Sequence, residues 1–336
     1  MTTHLPLFLA YFNPYSGQSF IGFFAVLFRR IWELMTGQLA LSELATDEIQ
    51  IIVLFGIASS AALVGSFLVL RKMTMLANSL SHTILLGMVG AYLFSGAASD
   101  LNSTGPPIQA MLCAALFMGI LTAFLTEFLS KTFKLQEDAS MGIVFTSLFA
   151  LGVIFLTLVA KDAHIGTEAI TGNIDALNRE DCLLALVILA LNLVLFALFF
   201  KEYEITTFDP HISKVIGISP LLFNYLLMSQ VSATAIGAFR AVGVLLVLAF
   251  MTGPALTARM LTHDLKTMLG LAVALGCAAS LIGVALARHL LSIHGLALST
   301  GGLVVCTLVL MYIATAVYYS TARGFFDSRV PTADTR

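Results

Sequence analysis

Apolar residues run through this chain in long blocks rather than in alternation. Nine stretches free of Asp, Glu, Lys and Arg, roughly 51–70, 73–99, 101–126, 139–160, 183–200, 218–239, 241–258, 267–287 and 295–322, each suffice for a membrane-crossing helix of about 20 residues. The pattern predicts an all-α fold, a polytopic membrane helical bundle of about nine transmembrane helices, with eight to ten possible. Gly105-Pro106-Pro107 should stop one helix and restart another. Only Arg240 separates the sixth and seventh stretches, which leaves a tight hairpin or one broken segment open. Thr252-Gly253-Pro254 predicts a kink in the seventh, because proline lacks an amide hydrogen and clashes with the preceding turn.

Residues 1–49 form an N-terminal extension, 50–322 the transmembrane domain and 323–336 a tail. Within the extension the run from Phe20 to Phe28, followed by Arg29, Arg30 and Trp32, is short for a span and suits an interfacial helix. The N-terminus lacks a basic region, apolar run and cleavage site in sequence, so no cleaved signal peptide is expected. With nine spans entered from outside, the inner segments hold Arg71, Lys72, Lys131, Lys134, Lys201, Lys214, Arg259, Lys266, Arg323, Arg329 and Arg336, and the outer loops hold Lys161, Arg179, Arg240 and Arg288. Eleven basic residues against four place the C-terminal tail in the cytoplasm.

Composition agrees with this pattern and removes several function classes. The chain is 59% hydrophobic and 11% charged, against roughly 25% charged in soluble domains, so its 336 residues are consumed by one bundle and its loops. A net charge of −2 with basic residues scattered beside apolar stretches gives no footprint for nucleic acid. Cys113, Cys182, Cys277 and Cys306 are widely spaced, and they read as small core residues rather than as a thiolate site or disulfide framework. No P-loop occurs, so this chain is not expected to hydrolyse ATP alone, and the absence of His-Glu-x-x-His and Gly-x-Ser-x-Gly argues against an intramembrane hydrolase.

The polar residues inside the spans carry the chemistry. Thr74, Asn78 and His82 recur at i, i+4 spacing with Ser81 beside them, a polar stripe on an otherwise apolar helix. Such a stripe faces protein, water or a solute rather than lipid. An imidazole nitrogen and an amide oxygen are neutral ligands for Zn, Mn or Fe, and one helical turn lets both reach one ion. The alternative is that Asn78 and His82 bond neighbouring helices. One chain offers too few ligands to close a metal shell here, so a metal path needs a second subunit or other spans. His164 with Asp162, and His289 with His294, could form a vestibule for an incoming cation or be solvated loop residues. Asp209 before Pro210 most simply caps a short helix, with His211 at the surface. The short inner segment from Ala258 to Lys266 either ends two helices or docks onto a cytoplasmic protein.

The segment from Gly65 to Gly87, containing Asn78-Ser-Leu-Ser-His82, resembles the signature of the zinc/manganese/iron ABC transporter permeases, the ABC-3 family. Glu137-Asp138, Ala150-Leu-Gly-Val153, Thr171-Gly-Asn173, Phe208-Asp209 with Gly217, Val242-Gly-Val-Leu-Leu-Val247, Pro254-Ala255 and Thr300-Gly-Gly-Leu-Val-Val305 resemble it in the family's order, over roughly residues 50–320. The resemblance implies a dimer of permeases in the bacterial inner membrane, a homodimer or heterodimer, with a cytoplasmic ABC ATPase and a metal-binding periplasmic protein or lipoprotein as partners. It implies no bound cofactor, only a transported divalent metal ion, with Thr74, Asn78, Ser81 and His82 along its path. Relatives commonly carry Asp-x-x-x-His there. Asn78 replaces the carboxylate, a loss of charge that lowers affinity for a dication and that a non-identical second permease supplying the acid would offset. By the same resemblance Arg259, His263 and Lys266 belong to the loop that contacts the ATPase.

The expected function is therefore the membrane-spanning subunit of an ATP-driven importer of Mn, Fe or Zn, not itself an enzyme, working by alternating access. A secondary transporter driven by an ion gradient is the rival, although such carriers usually need titratable groups in the membrane and the spans are nearly free of Asp and Glu apart from Glu127.

Overall fold

The computed structural model describes residues 13–39, 43–74, 83, 86–87, 89–91, 108–159, 174 and 177–327. Among the described residues every regular element is helical: α1 (Phe20–Met35), α2 (Thr46–Leu70), α3 (Ile108–Phe133), α4 (Glu137–Val159), α5 (Arg179–Phe208), α6 (Pro210–Val215), α7 (Pro220–Val242), α8 (Val244–Leu261), α9 (Leu265–His294) and α10 (Thr300–Asp327). Among the described residues six helices are long and apolar enough to cross a membrane, and Ala139–Phe155 and Leu245–Leu261 are shorter apolar helices. Together with the stretch at 73–99, most of which lies outside the described residues, this is compatible with about nine spans. The protein is a multi-pass membrane protein.

Helix α2 is the hub. Of its most apolar stretch 78% is buried, against 22% in α10, because α5, α7, α8 and α9 all pack on it. A helix apolar all round belongs inside a bundle, and small residues let its neighbours approach closely. At Gly65 an added Cβ would lie 1.9 Å from the Met251 carbonyl oxygen of α8, so only glycine permits that crossing. Ala58 meets Gly276 of α9, and Gly56 meets Ala185 of α5. Helix α2 begins at Thr46, ahead of the charge-free stretch. Asp47 and Glu48 sit in its first turn, where carboxylates complement the helix dipole.

Contacts between helices fix their directions. Asn224 near the start of α7 and Arg259 near the end of α8 both reach the Val69–Arg71 end of α2. The chain must therefore reverse between them. It does so at Gly243, whose φ of +80° is open to glycine, and not at Arg240; the hairpin alternative holds. Arg288 of α9 bonds Asp47 at the opposite end of α2. Arg71, Arg259 and Lys266 thus share one end of the bundle while Arg288 lies at the other, the segregation expected from the basic residues.

Two expectations are corrected. Helix α8 runs uninterrupted across Pro254, while the departure from helical geometry falls at Phe199 in α5 (φ −116°, ψ 25°). The close packing of α8 on α2 holds the helix together past the proline. Cys113 and Cys306 are exposed, and Cys182 and Cys277 are half-buried, so none is a fully buried core residue. Only the face that a helix turns to its neighbours is buried in a bundle, and a position deep in an apolar stretch can still point outward.

The N-terminal segment folds onto the Asp47 end of α2. Helix α1, capped by Ser19, buries Phe23 and Leu27 and exposes Ile21, Phe28, Trp32 and Met35. Arg30 pairs with Glu48, Tyr15 donates to Glu48 Oε1 at 2.9 Å and Asn13 to Asp47 Oδ2 at 2.6 Å. Burial and the Glu48 carboxylate push the Tyr15 phenol well above its ordinary range.

Candidate functional site

Asn78, Ser81 and His82 lie outside the described residues, as do Asp162 and His164. What the structure gives is the joint that leads into their stretch and the packing beyond it. At the end of α2 the Lys72 N–H bonds the Val69 carbonyl and the Met73 N–H bonds that of Leu68, at 3.2 and 2.9 Å, with Lys72 at a φ of +59°. This is a Schellman stop, with lysine where glycine usually sits. Thr74, half-buried, starts the next helical segment two residues later. Beyond the stripe Thr83 is buried, and a Cβ on Gly87 would meet Ile236 of α7 and Met118 of α3 at 3.0 Å each. Gly87 therefore sits between α3 and α7. A cavity of about 450 Å³ opens beside it, lined by Gly87, Gly90, Cys113, Phe117, Met118 and Phe155 among others. That lining is apolar and offers no hard or borderline donor to a dication.

A polar cluster absent from the sequence reading occupies the middle of the bundle. Asn192 of α5 donates through Nδ2 to Ser60 Oγ of α2 and, at 2.7 Å, to Thr234 Oγ1 of α7. All three residues are at most 1% exposed. Toward the Arg71 end, Tyr203 donates to Gln230 Oε1 at 2.6 Å. The only sequence signal was a lone Asn inside the fifth charge-free stretch.

At that end Arg71 spreads its guanidinium over neighbouring helices. Nε donates to Thr207 Oγ1 at 3.0 Å, one terminal nitrogen to Thr206 Oγ1 at 3.1 Å and the other to Asn224 Oδ1 at 3.4 Å. Burial lowers its pKa from the ordinary arginine value, yet an arginine remains charged at neutral pH. The residues expected in the ATPase-facing loop, Arg259, His263 and Lys266, are all exposed, while Leu265 and Met268 anchor the segment. Asp264 caps α9 by accepting from the Thr267 N–H at 3.0 Å. Its pKa is held low by the Thr267 hydroxyl and amide. Lys266 lies 5.8 Å from the centre of the Phe200 ring, and Arg259 donates to the Val69 carbonyl at 3.3 Å. In the short helix α6, Asp209 accepts from His211 and Ile212 N–H groups and His211 is exposed, the capping arrangement expected.

At the opposite end the His289 and His294 rings are 6.0 Å apart, with Phe20 of α1 lying 6.4 Å from His289. His289 is thus tucked partly under α1 rather than free in a loop. Among the described residues no group of three His, Cys, Asp or Glu side chains is placed to hold a metal.

Comparison with known proteins agrees with the architecture. The profile of the ABC 3 transport family matches residues 48–319. Over 303 residues the chain is 40% identical to a Chlamydia muridarum protein named "Probable metal transport system membrane protein", covering 90% of this chain and 93% of that one. It is 37% identical over 289 residues to the manganese transport system membrane protein MntD of Bacillus subtilis, covering 81% and 92%. Among solved structures, PsaBC from Streptococcus pneumoniae in complex with Fab superposes with a TM-score of 0.68 at 26% identity, covering 85% of this chain and 95% of that one.

Proposed function

The chain belongs to the ABC-3 transport family, and from that premise we propose that it is the membrane-spanning subunit of an ATP-binding-cassette importer for a divalent transition metal, manganese, iron or zinc, in a bacterial inner membrane. The observation that carries the reading is the family match over residues 48–319, supported by relatives named as manganese, zinc and iron transport membrane proteins. A cytoplasmic ATPase supplies the energy and meets the segment after α8 through His263 and Lys266, while Arg259 turns back onto the Val69 carbonyl of α2. A metal-binding periplasmic protein or lipoprotein delivers the ion, and a second permease completes the path. The metal is cargo, not a resident cofactor. It passes Thr74, Asn78, Ser81 and His82, where neutral nitrogen and oxygen donors bind a borderline dication weakly enough to release it.

Alternating access needs a bundle with two arrangements and a lever. The segment 259–266 is suited to be the lever, because Leu265 and Met268 root it in the core while His263 and Lys266 are exposed. The reading is tested by metal content in cells expressing this chain with and without its ATPase and binding protein, supplied with Mn, Fe or Zn. Accumulation of at least one metal that requires the ATPase supports it. Uptake that persists without the ATPase and collapses with the ion gradient would establish the secondary carrier instead.

A further inference from the structure

We propose that Arg259 and Arg71 form a mechanical relay that carries movement of the 259–266 segment to the joint between α2 and the stretch bearing Thr74, Asn78 and His82. The proposal rests on the functional reading above and specifies how its lever reaches the metal path. Four observations converge on the joint. Its Schellman stop places a lysine at φ +59°, a conformation unfavourable for an L side chain because the Cβ crowds the following carbonyl. A joint held in an unfavoured backbone state is one that a modest force can re-set. The Val69 carbonyl, one of the two acceptors that close this stop, is also where Arg259 donates. The lever therefore pulls on an atom of the joint itself.

Arg71 grips the same joint from the other side. As the residue that ends α2, it ties that end to the last turn of α5 through Thr206 and Thr207 and to the first turns of α7 through Asn224. Its three partners are neutral, and among the described residues no carboxylate pairs with it. The carbonyl ends of α2 and α5 point at this place and offset the charge in part. A mostly buried guanidinium held by hydroxyls and helix ends, rather than by a fixed counter-ion, can trade one set of acceptors for another without separating an ion pair. Lysine cannot reproduce that fork. Motion of the α8 end thus reaches the start of the polar stripe within five residues, from Val69 to Thr74, while α5 and α7 brace the far side.

The test uses the complete transporter, this chain with its ATPase and binding protein, reconstituted in liposomes and supplied with Mn(II) and, in parallel, Zn(II). Co-purification of the ATPase, ATP hydrolysis and metal uptake are read for Arg259→Ala, Arg71→Lys and the double variant. Arg259 is exposed, so its variant folds. The relay predicts normal co-purification, hydrolysis within about twofold of the parent, and metal moved per ATP reduced at least tenfold in each single variant. Acting in series, the two substitutions should be no worse combined than singly. Unchanged metal per ATP in Arg259→Ala overturns the relay. Loss of ATPase co-purification in that variant also overturns it, by making Arg259 a docking contact, and so does a multiplicative loss in the double variant. A parent transporter whose uptake ignores the ATPase would instead overturn the functional reading itself.

Discussion

Asn192 and Thr234 stand 42 residues apart in sequence and meet at 2.7 Å, both buried. Their contact, shared with Ser60 of the central helix, joins α2, α5 and α7 at mid-bundle, where no water competes for the bond. Replacing Asn192 by Ala removes the shared donor and leaves the Ser60 and Thr234 hydroxyls, 3.3 Å apart, to bond each other. The expected cost is about 1 kcal/mol, in keeping with interhelical hydrogen bonds in membranes. Asn192→Asp should cost more, because it asks the bundle to hold a carboxyl group among neutral partners. Unfolding in detergent with increasing denaturant measures both, and the order Asp worse than Ala is the decisive result.

Close helix crossings separate glycines that matter from those that do not. Gly65→Ala drives a methyl to 1.9 Å from a backbone oxygen of α8, which only a shift of one helix relieves. Overpacking of this kind costs about 1–3 kcal/mol or more. Gly302→Ala meets nothing within 4 Å and should be neutral. Yield and thermal unfolding of the two purified variants should diverge accordingly.

The pair Arg288–Asp47, with side chains 18% and 2% exposed, fastens α9 to α2 and, through Asn13, to the N-terminal segment. Arg288→Met strands a buried carboxylate, a loss of about 3–5 kcal/mol. Adding Asp47→Asn should restore part of it. Trypsin cleavage after Arg29 and Arg30 reports release of α1 directly, fast in the single variant and slower again in the double.

Asp264 accepts from the amide and hydroxyl of Thr267, which depresses its pKa. A lowered folded-state value means that its contribution is present above the unfolded carboxylate range and lost as pH falls through the folded value. Asp264→Ala should fray the first turn of α9 at neutral pH, whereas Asp264→Ser should retain the cap. Hydrogen exchange at residues 265–268 distinguishes them.

Charge-free stretches were legible as helices because the bilayer forbids exposed backbone polar groups, and α2, α5, α9 and α10 fall where the apolar runs lie. Turn chemistry was less legible. Pro254 looked like a break, yet α8 passes through it, while the reversal uses Gly243, where a positive φ rather than a charge decides the turn. The partners of Asn192 and Arg71 could not be read at all. Each bond spans 42 to 153 residues, and a sequence period reports a helix face without saying which helix lies against it. The inner loop was legible as a basic segment, but the hydrogen bond of Arg259 to Val69 needed the packing of α8 on α2.

Uptake of Mn(II) and Zn(II) by liposomes holding the complete transporter, compared between the parent and His82→Ala, isolates the role of the His82 imidazole in the metal path. A path past that ring predicts loss of uptake by at least tenfold with insertion, subunit assembly and basal ATP hydrolysis retained. Uptake at the parent rate in the His82→Ala protein would contradict it.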